Sequence, residues 1–276
     1  MSRASADTSR TNVRTTVALP IRAWRAARVS VHVLGGIATQ TFVFPRVTTE
    51  RRRAITRQWC GRLLELMNVE ARVHGSIDAR RGNLLIVANH ISWLDIFVLN
   101  AQHASLFVAK SELADWPVAG RLIRGAGTLF IERARRRDTE RVNRCAADAL
   151  KAGDAIVVFP EGTTTDGSTV LKFHGSLLQP VVDAEGHVLP VAIRYHDGAG
   201  TRSLAPEYAG DTSFATSFWR VCGERRLAVD LFTAPVIAAG TAHRRELARA
   251  AEDAIRTALA GRDGATAPGT RGDPAA

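Results

Sequence analysis

His90 and Asp95 stand five residues apart in the run Asn89-His90-Ile91-Ser92-Trp93-Leu94-Asp95. At a corner where a strand gives way to a helix, that spacing lets the imidazole point outward while the carboxylate reaches back to its far ring nitrogen. The chemistry on offer is general base catalysis. A neutral imidazole needs an acceptor that fixes its tautomer and steadies the cation it becomes on taking a proton. The pair alone is a weak signal, because roughly 0.4 such spacings arise by chance in a chain with eight histidines.

Three further stretches could serve that base. In Gly127-Thr128-Leu129-Phe130-Ile131-Glu132-Arg133 an apolar strand delivers Arg133 at its exit, where a guanidinium can grip a phosphate with two parallel hydrogen bonds. The plainer alternative is that Arg133 opens the solvated run Arg133, Arg135, Arg136, Arg137. In Val157-Val158-Phe159-Pro160-Glu161-Gly162-Thr163-Thr164-Thr165-Asp166-Gly167 a strand ends at a proline. A carboxylate, a glycine and three hydroxyl residues follow, and Gly162 can let backbone N–H groups approach an anion. In Val188-Leu189-Pro190-Val191-Ala192-Ile193-Arg194-Tyr195 a proline near the start of a strand suggests only an edge or a strand start. Other phosphate loops are excluded: Gly162 to Thr169 carries Ser168 where a nucleotide-hydrolysing loop needs lysine, and Gly125-Ala126-Gly127 precedes a strand and lacks a third glycine.

The elements that must position these residues alternate. Apolar, strand-like runs cover 71–74, 84–88, 105–109, 128–132, 155–159, 188–195 and 227–234. Helix-like runs cover 94–101, 111–124, 139–152 and 176–184, and a last helix capped by Thr241 runs to Ala260. The expected fold class is α/β, a mostly parallel sheet with helices on both faces, in which ligands bind outside the carboxyl ends of the strands. Every motif above falls at or just past a strand end. Residues 69–261 are expected to form one domain, with 1–15 and 262–276 expected to be disordered.

With 37 Lys plus Arg against 27 Asp plus Glu, the net charge of +10 points to an anionic partner. Aromatics are only 6% and nucleic-acid motifs are missing, so a membrane surface or phosphorylated substrate is favoured over nucleic acid. Cys60, Cys145 and Cys222 are scattered and read as reduced thiols, neither disulfides nor metal ligands. Residues 16–68 are expected to associate with the membrane. Val29 to Phe44 is nearly apolar but shorter than the ~20 residues of a spanning helix. The stretch after Pro45 places Ile55, Trp59, Leu63 and Leu66 on one helical stripe among Arg51, Arg52, Arg53, Arg57 and Arg62. A basic amphipathic helix of this kind suits an anionic bilayer, unless its stripe packs on the protein's own core.

Together the blocks NHISWLD, GTLFIER, FPEGTT and LPVAIRY, in this order over residues 70 to 235, resemble the signature blocks of the glycerophospholipid acyltransferase family. The resemblance implies that His90 is the general base and Asp95 its partner. Arg133, with Glu161, Gly162 and Thr163, would bind the acceptor's head, and the block at Pro190 would either contact the acyl donor or shape the pocket. It further implies acyl-CoA or acyl-carrier protein as co-substrate with no other cofactor, a lysolipid acceptor, foremost 1-acyl-sn-glycerol-3-phosphate, and work at the cytoplasmic face of the plasma membrane. The residues support a direct transfer, since the chain has no G-x-S-x-G elbow and no cysteine near either catalytic motif.

Two positions depart from the family pattern. Thr164 stands where many phosphatidate-forming members carry arginine, and His174 follows Phe173 where lysine is usual. Both remove positive charge beside the presumed head group, a loss that Arg133, Lys110 or Lys172 would have to offset. The form FPEGTT-x-DG is similar to lyso-ornithine lipid acyltransferases, whose acceptor lacks phosphate. Lysophosphatidate remains the first expectation and the lyso-ornithine lipid the second. A thioesterase and a catalytically silent lipid-binding protein are the more remote readings.

Overall fold

A computed structural model describes residues 16–77, 82–115, 119–125, 128–131, 136–260 and 262. Arg133 and both chain ends, residues 1–15 and 263–276, lie outside these residues. The strands are β1 Val69–His74, β2 Leu84–Ala88, β3 Leu106–Lys110, β4 Leu129–Ile131, β5 Ile156–Val158, β6 His187–Asp197, β7 Leu227–Thr233 and β8 Ile237–Ala238. They form one sheet in the order β1-β7-β6-β2-β5-β3-β4, with β8 paired to β6. The ladder is parallel from β6 through β2, β5 and β3 to β4, and again between β1 and β7. Among the strands of the described residues, the β6–β7 and β6–β8 pairings are the antiparallel ones.

Continuous apolar runs form the central strands because both faces are covered. Leu84, Ile86, Leu189, Val191, Val157, Val229 and Leu231 lie in a core shared with α2 Thr49–Leu66, α3 Leu94–Gln102 and α7 Phe214–Gly223. Leu85, Val87, Ile156, Val158 and Val188 meet α5 Arg136–Lys151, α6 Gln179–Asp183 and α8 Arg244–Leu259 on the other face. Burial holds on both sides of β2, which is wholly inaccessible to solvent.

Pro190 sits inside β6, a strand with neighbours on both sides, so the edge-strand expectation is corrected. Its carbonyl accepts from Ala234 N at 2.9 Å. The side toward which a backbone N–H at this residue would point is therefore the gap between the β7 pairing, which starts at Val191, and the β8 pairing, which ends at Val188. A ring without an N–H leaves no partner unmet there.

Three other expectations change. The expected helix 111–124 is a 3-10 turn at Ser111–Asp115 and a separate α4 at Ala119–Gly125. The cap of α8 is His243, not Thr241: its ring accepts from Arg245 N, and Glu246 reaches back to the His243 amide at 3.2 Å. Helix α7 was not anticipated, although Ser213 caps it by accepting from Thr216 N at 3.2 Å.

The N-terminal region consists of α1 Leu19–Phe42, a short 3-10 turn at Phe44–Arg46, and α2, capped by Thr48. The stripe on α2 faces inward: Leu63, Leu64 and Leu66 are buried, and Trp59 packs on Phe97 of α3. Its arginines remain outside, Arg53 pairing with Asp154. Helix α1 clasps α2 where His32 stacks on Trp59 at 4.8 Å, and each side chain bonds the other's carbonyl. Gly36 permits that approach, since a Cβ there would lie 2.6 Å from the Trp59 ring nitrogen. The opposite side of α1 exposes Trp24, Val31, Leu34 and Phe42. Among the described residues no helix is long and apolar enough to cross a membrane.

Candidate active site

Strand β2 releases the chain at Asn89, whose side chain accepts from Ile193 N at 2.7 Å and donates to Ile193 O at 3.0 Å. This amide clamp ties the end of β2 to β6, so His90 leaves the sheet in a fixed direction. Asp95, in the first turn of α3 and fully buried, then folds back under the loop. Its Oδ2 accepts from His90 Nδ1 at 2.8 Å, Ile91 N at 2.8 Å and Ser92 N at 2.9 Å. Its Oδ1 accepts from the Tyr195 hydroxyl at 2.7 Å. With Nδ1–H donating to a carboxylate, Nε2 is the basic nitrogen. The ring lies flat on Phe159, centroids 4.0 Å apart, and its side chain is 19% exposed. An imidazole held at one nitrogen and on one face has a single free edge for substrate.

Glu161 has another task than reaching outward. It is 4% exposed; Oε1 accepts from His90 N at 2.8 Å and Oε2 from Leu171 N at 2.9 Å. Burial pushes its carboxyl up, against the two amides and His90, which pull it down. The carboxylate braces the backbone of the base to the loop that follows β5. Gly162, at φ +75°, turns its amide back to Phe159 O at 3.1 Å. That N–H therefore faces its own turn instead of an anion. Thr163 is exposed at the loop surface. Thr164 donates its hydroxyl to Tyr208 O, and Thr165 N donates to His90 O at 2.9 Å.

The structure thus brings His90, Asp95, Glu161, Gly162 and Thr163 to the carboxyl ends of β2 and β5. It adds residues that local spacing did not disclose. Tyr195 and Asn89 are joined to their partners across 100 and 104 positions, beyond any motif window. Phe159 was visible only as a strand residue. Burial and the nearby Asp95 charge push the Tyr195 hydroxyl well above its ordinary pKa, which keeps it a donor. Trp93 packs, as its type suggests: it touches Phe97, Phe214 and Phe218, and its Nε1 donates to Ser217 at 3.0 Å. Ser92 is fully buried and accepts from Leu94 N, a geometry for capping and not for nucleophilic attack. Cys60 and Cys222 are buried thiols pushed up to about 12 and about 11, far from thiolate reactivity.

An imidazole oriented by a buried carboxylate at the carboxyl edge of a doubly covered sheet is an arrangement suited to general acid–base chemistry. The family model described as Acyltransferase matches residues 70–194. A 1-acyl-sn-glycerol-3-phosphate acyltransferase of Neisseria meningitidis is 36% identical over 76% of this chain and 82% of its own length. A lyso-ornithine lipid O-acyltransferase of Pseudomonas aeruginosa is 38% identical over 77% of this chain and 81% of its own. The crystal structure of the 1-acyl-sn-glycerophosphate acyltransferase of Thermotoga maritima superposes with a TM-score of 0.67 at 25% identity, covering 87% of this chain and 94% of that one. The chain belongs to the glycerophospholipid acyltransferase family and is an acyltransferase.

Proposed function

We propose that the enzyme moves a fatty acyl group from acyl-CoA or acyl-carrier protein to the free hydroxyl of a lysolipid at a membrane surface, foremost 1-acyl-sn-glycerol-3-phosphate, giving phosphatidic acid. The observation that carries this reading is the His90–Asp95 pair, which leaves Nε2 as the basic nitrogen of a partly exposed ring. His90 Nε2 takes the hydroxyl proton as that oxygen attacks the thioester carbonyl. The C–O bond forms, the C–S bond breaks, and the proton returns from the imidazolium to the departing thiolate. No acyl-enzyme is required, which agrees with the burial of Ser92.

The exposed apolar side of α1, with Arg28 stacked 4.2 Å over Trp24, supports docking into the bilayer interface with the helix in its plane. Arg133, two residues past the end of β4 in sequence, is the proposed phosphate ligand. The second acceptor, a lyso-ornithine lipid, is favoured by one feature: residues 161–170 contain neither lysine nor arginine, and Asp166 adds a negative charge.

A panel of lysolipids with one acyl thioester and mass detection of products tests the reading. Acyl transfer that depends on a lysolipid is expected. Thioester loss at the same rate without acceptor would make the protein a hydrolase, and unchanged transfer by His90→Ala would remove the mechanism. Arg133→Ala should harm a phosphate-bearing acceptor far more than a zwitterionic one.

A further inference from the structure

Between β6 and α7 the chain forms neither helix nor strand over 198–213, yet this stretch is tied down where the loops around His90 and Glu161 meet. Ser203 N donates to the carbonyl of Tyr195, the residue whose phenol supports Asp95, at 3.0 Å. Pro206 O accepts from Ser217 Oγ at 3.1 Å, and that hydroxyl in turn accepts from Trp93 Nε1 at 3.0 Å. Two residues on, Tyr208 uses both of its backbone groups. Its N–H donates to Ile91 O at 3.2 Å, and its carbonyl accepts from the Thr164 hydroxyl. One residue thus bridges the loop after β2 to the loop after β5. Ile91 is buried, at 3% exposure, and stands past the last residue of β2, so its carbonyl has to find a donor inside the protein and outside the sheet ladder.

We propose that Thr164 is a positioning residue for His90, acting through the backbone of Tyr208 on Ile91. A hydroxyl carries a single proton, and Tyr208 O takes it, so Thr164 has none left to give a substrate phosphate. Position 164 therefore has its own task in this chain. His90 is held directly by Glu161 Oε1 on its N–H and by Thr165 N on its carbonyl, and both contacts stop at residue 90. The Tyr208 bridge holds the residue after it. Ile91 is fixed at both ends, its N–H on Asp95 Oδ2 at 2.8 Å and its C=O on Tyr208, so the bridge also sets how the carboxylate meets the ring. Threonine suits the post because its β-branch restricts χ1 and keeps the hydroxyl aimed. Without that bond the 198–213 stretch is free to draw back, and the loop carrying the imidazole relaxes with it. A shift of ~1 Å in a reacting group costs roughly a hundredfold in rate. The role rests on the reading of His90 as the base, and Thr164 itself touches no reacting atom.

The test uses the full chain in mixed micelles with acyl-CoA and two lysolipids, lysophosphatidate and an N-(3-hydroxyacyl)ornithine, together with hydrogen exchange of the Tyr208 amide. Thr164→Val keeps the shape and removes the proton. It is expected to lower kcat about tenfold on each lysolipid that the wild type acylates, with acceptor KM changed by no more than about twofold, and to speed exchange at Tyr208. Thr164→Ser keeps the hydroxyl and is expected to recover most of the rate and of the protection. Wild-type kcat in Thr164→Val, or a serine variant no better than valine, would overturn the role. A loss that falls on acceptor KM would overturn it as well and make Thr164 a substrate contact. A loss of rate that only matches a loss of folded protein, read by melting, would leave Thr164 with ordinary stability and no positioning task. Wild-type protein that acylates neither lysolipid would remove the acyl-transfer reading and the catalytic role with it; exchange at Tyr208 needs no substrate and still reports whether the bridge exists, which keeps the two failures apart.

Discussion

At the scale of single residues the site is organised around one carboxylate. Asp95 accepts four hydrogen bonds, from an imidazole, two amides and a phenol, and has no contact with solvent. His90→Ala should lower kcat by about 10²–10⁴, the usual contribution of a general base, with acceptor KM little changed. Tyr195→Phe leaves Asp95 Oδ1 short of a donor and should cost about 1–3 kcal/mol in chemical denaturation. The pH dependence has a definite sign. The Tyr195 pKa is raised in the fold above its ordinary 10.0. Its stabilising contribution is therefore complete below pH 10 and lost as pH rises beyond it. The stability gap between wild type and Tyr195→Phe should narrow above that pH. Glu161→Gln tests the brace: an amide has one acceptor oxygen for two N–H groups, so melting temperature and activity should fall together. Lost activity with unchanged melting would return Glu161 to a substrate-contacting role.

At the scale of elements, α1 and α2 divide the work that their sequences appear to share. Leu63→Ala on α2 opens a cavity between α2 and the sheet and should cost about 2–5 kcal/mol. Trp24→Ser on α1 removes an exposed side chain, so stability should shift by no more than about 0.5 kcal/mol while vesicle binding weakens. The contrast, read by denaturation and vesicle sedimentation, separates core from docking face. A large loss of stability in Trp24→Ser would place that face in the fold instead. Helix α1 is also latched to α7, where Arg25 donates to Glu224 O at 2.6 Å and to Cys222 O at 3.2 Å. Helix α1 is thereby tied to the helix against which Trp93 packs, so the proposed docking face and the His90 loop are mechanically linked.

For the whole molecule, the +10 charge and the apolar face of α1 act over different ranges. In the proposed membrane docking the charge would act on an anionic bilayer over a Debye length of about 10 Å at 0.1 M salt, shrinking to about 3 Å at 1 M. The apolar face is indifferent to salt. Binding to vesicles containing anionic lipid should weaken with salt but keep a residual that disappears in Trp24→Ser with Val31→Ser. Binding that is abolished by salt alone would mean that α1 contributes nothing.

Much of this architecture is local information. Seven strands and their alternation with helices were legible: the central ones because a strand buried on both faces must be an unbroken apolar run, so that 84–88 is read to the residue, and the edge strand β1 because Val69, Ala71 and Val73 alternate with polar residues. The His90–Asp95 pair was legible because it spans five residues at one corner. Helix α7 was legible too, since Phe214, Phe218 and Val221 stand at i, i+4 and i+7 behind the Ser213 cap, but the segment is only ten residues long and sits between two much more apolar strands that dominate the pattern. The sequence by itself determined most of the order of elements, the pairing of His90 with Asp95, and the family. Only the tertiary structure decided which apolar surface turns inward. The stripe of α2 and the outer face of α1 have similar residue content, and it is the position of α3 against Trp59 and Leu63 that buries one of them. It likewise decided what the charged residues touch: Tyr195 behind Asp95, Glu161 on two backbone amides, and Asp166 opposite Arg202. Those partners lie 100, up to 71 and 36 positions away. A hydrogen bond depends on a separation of about 3 Å in space, which sequence distance does not encode.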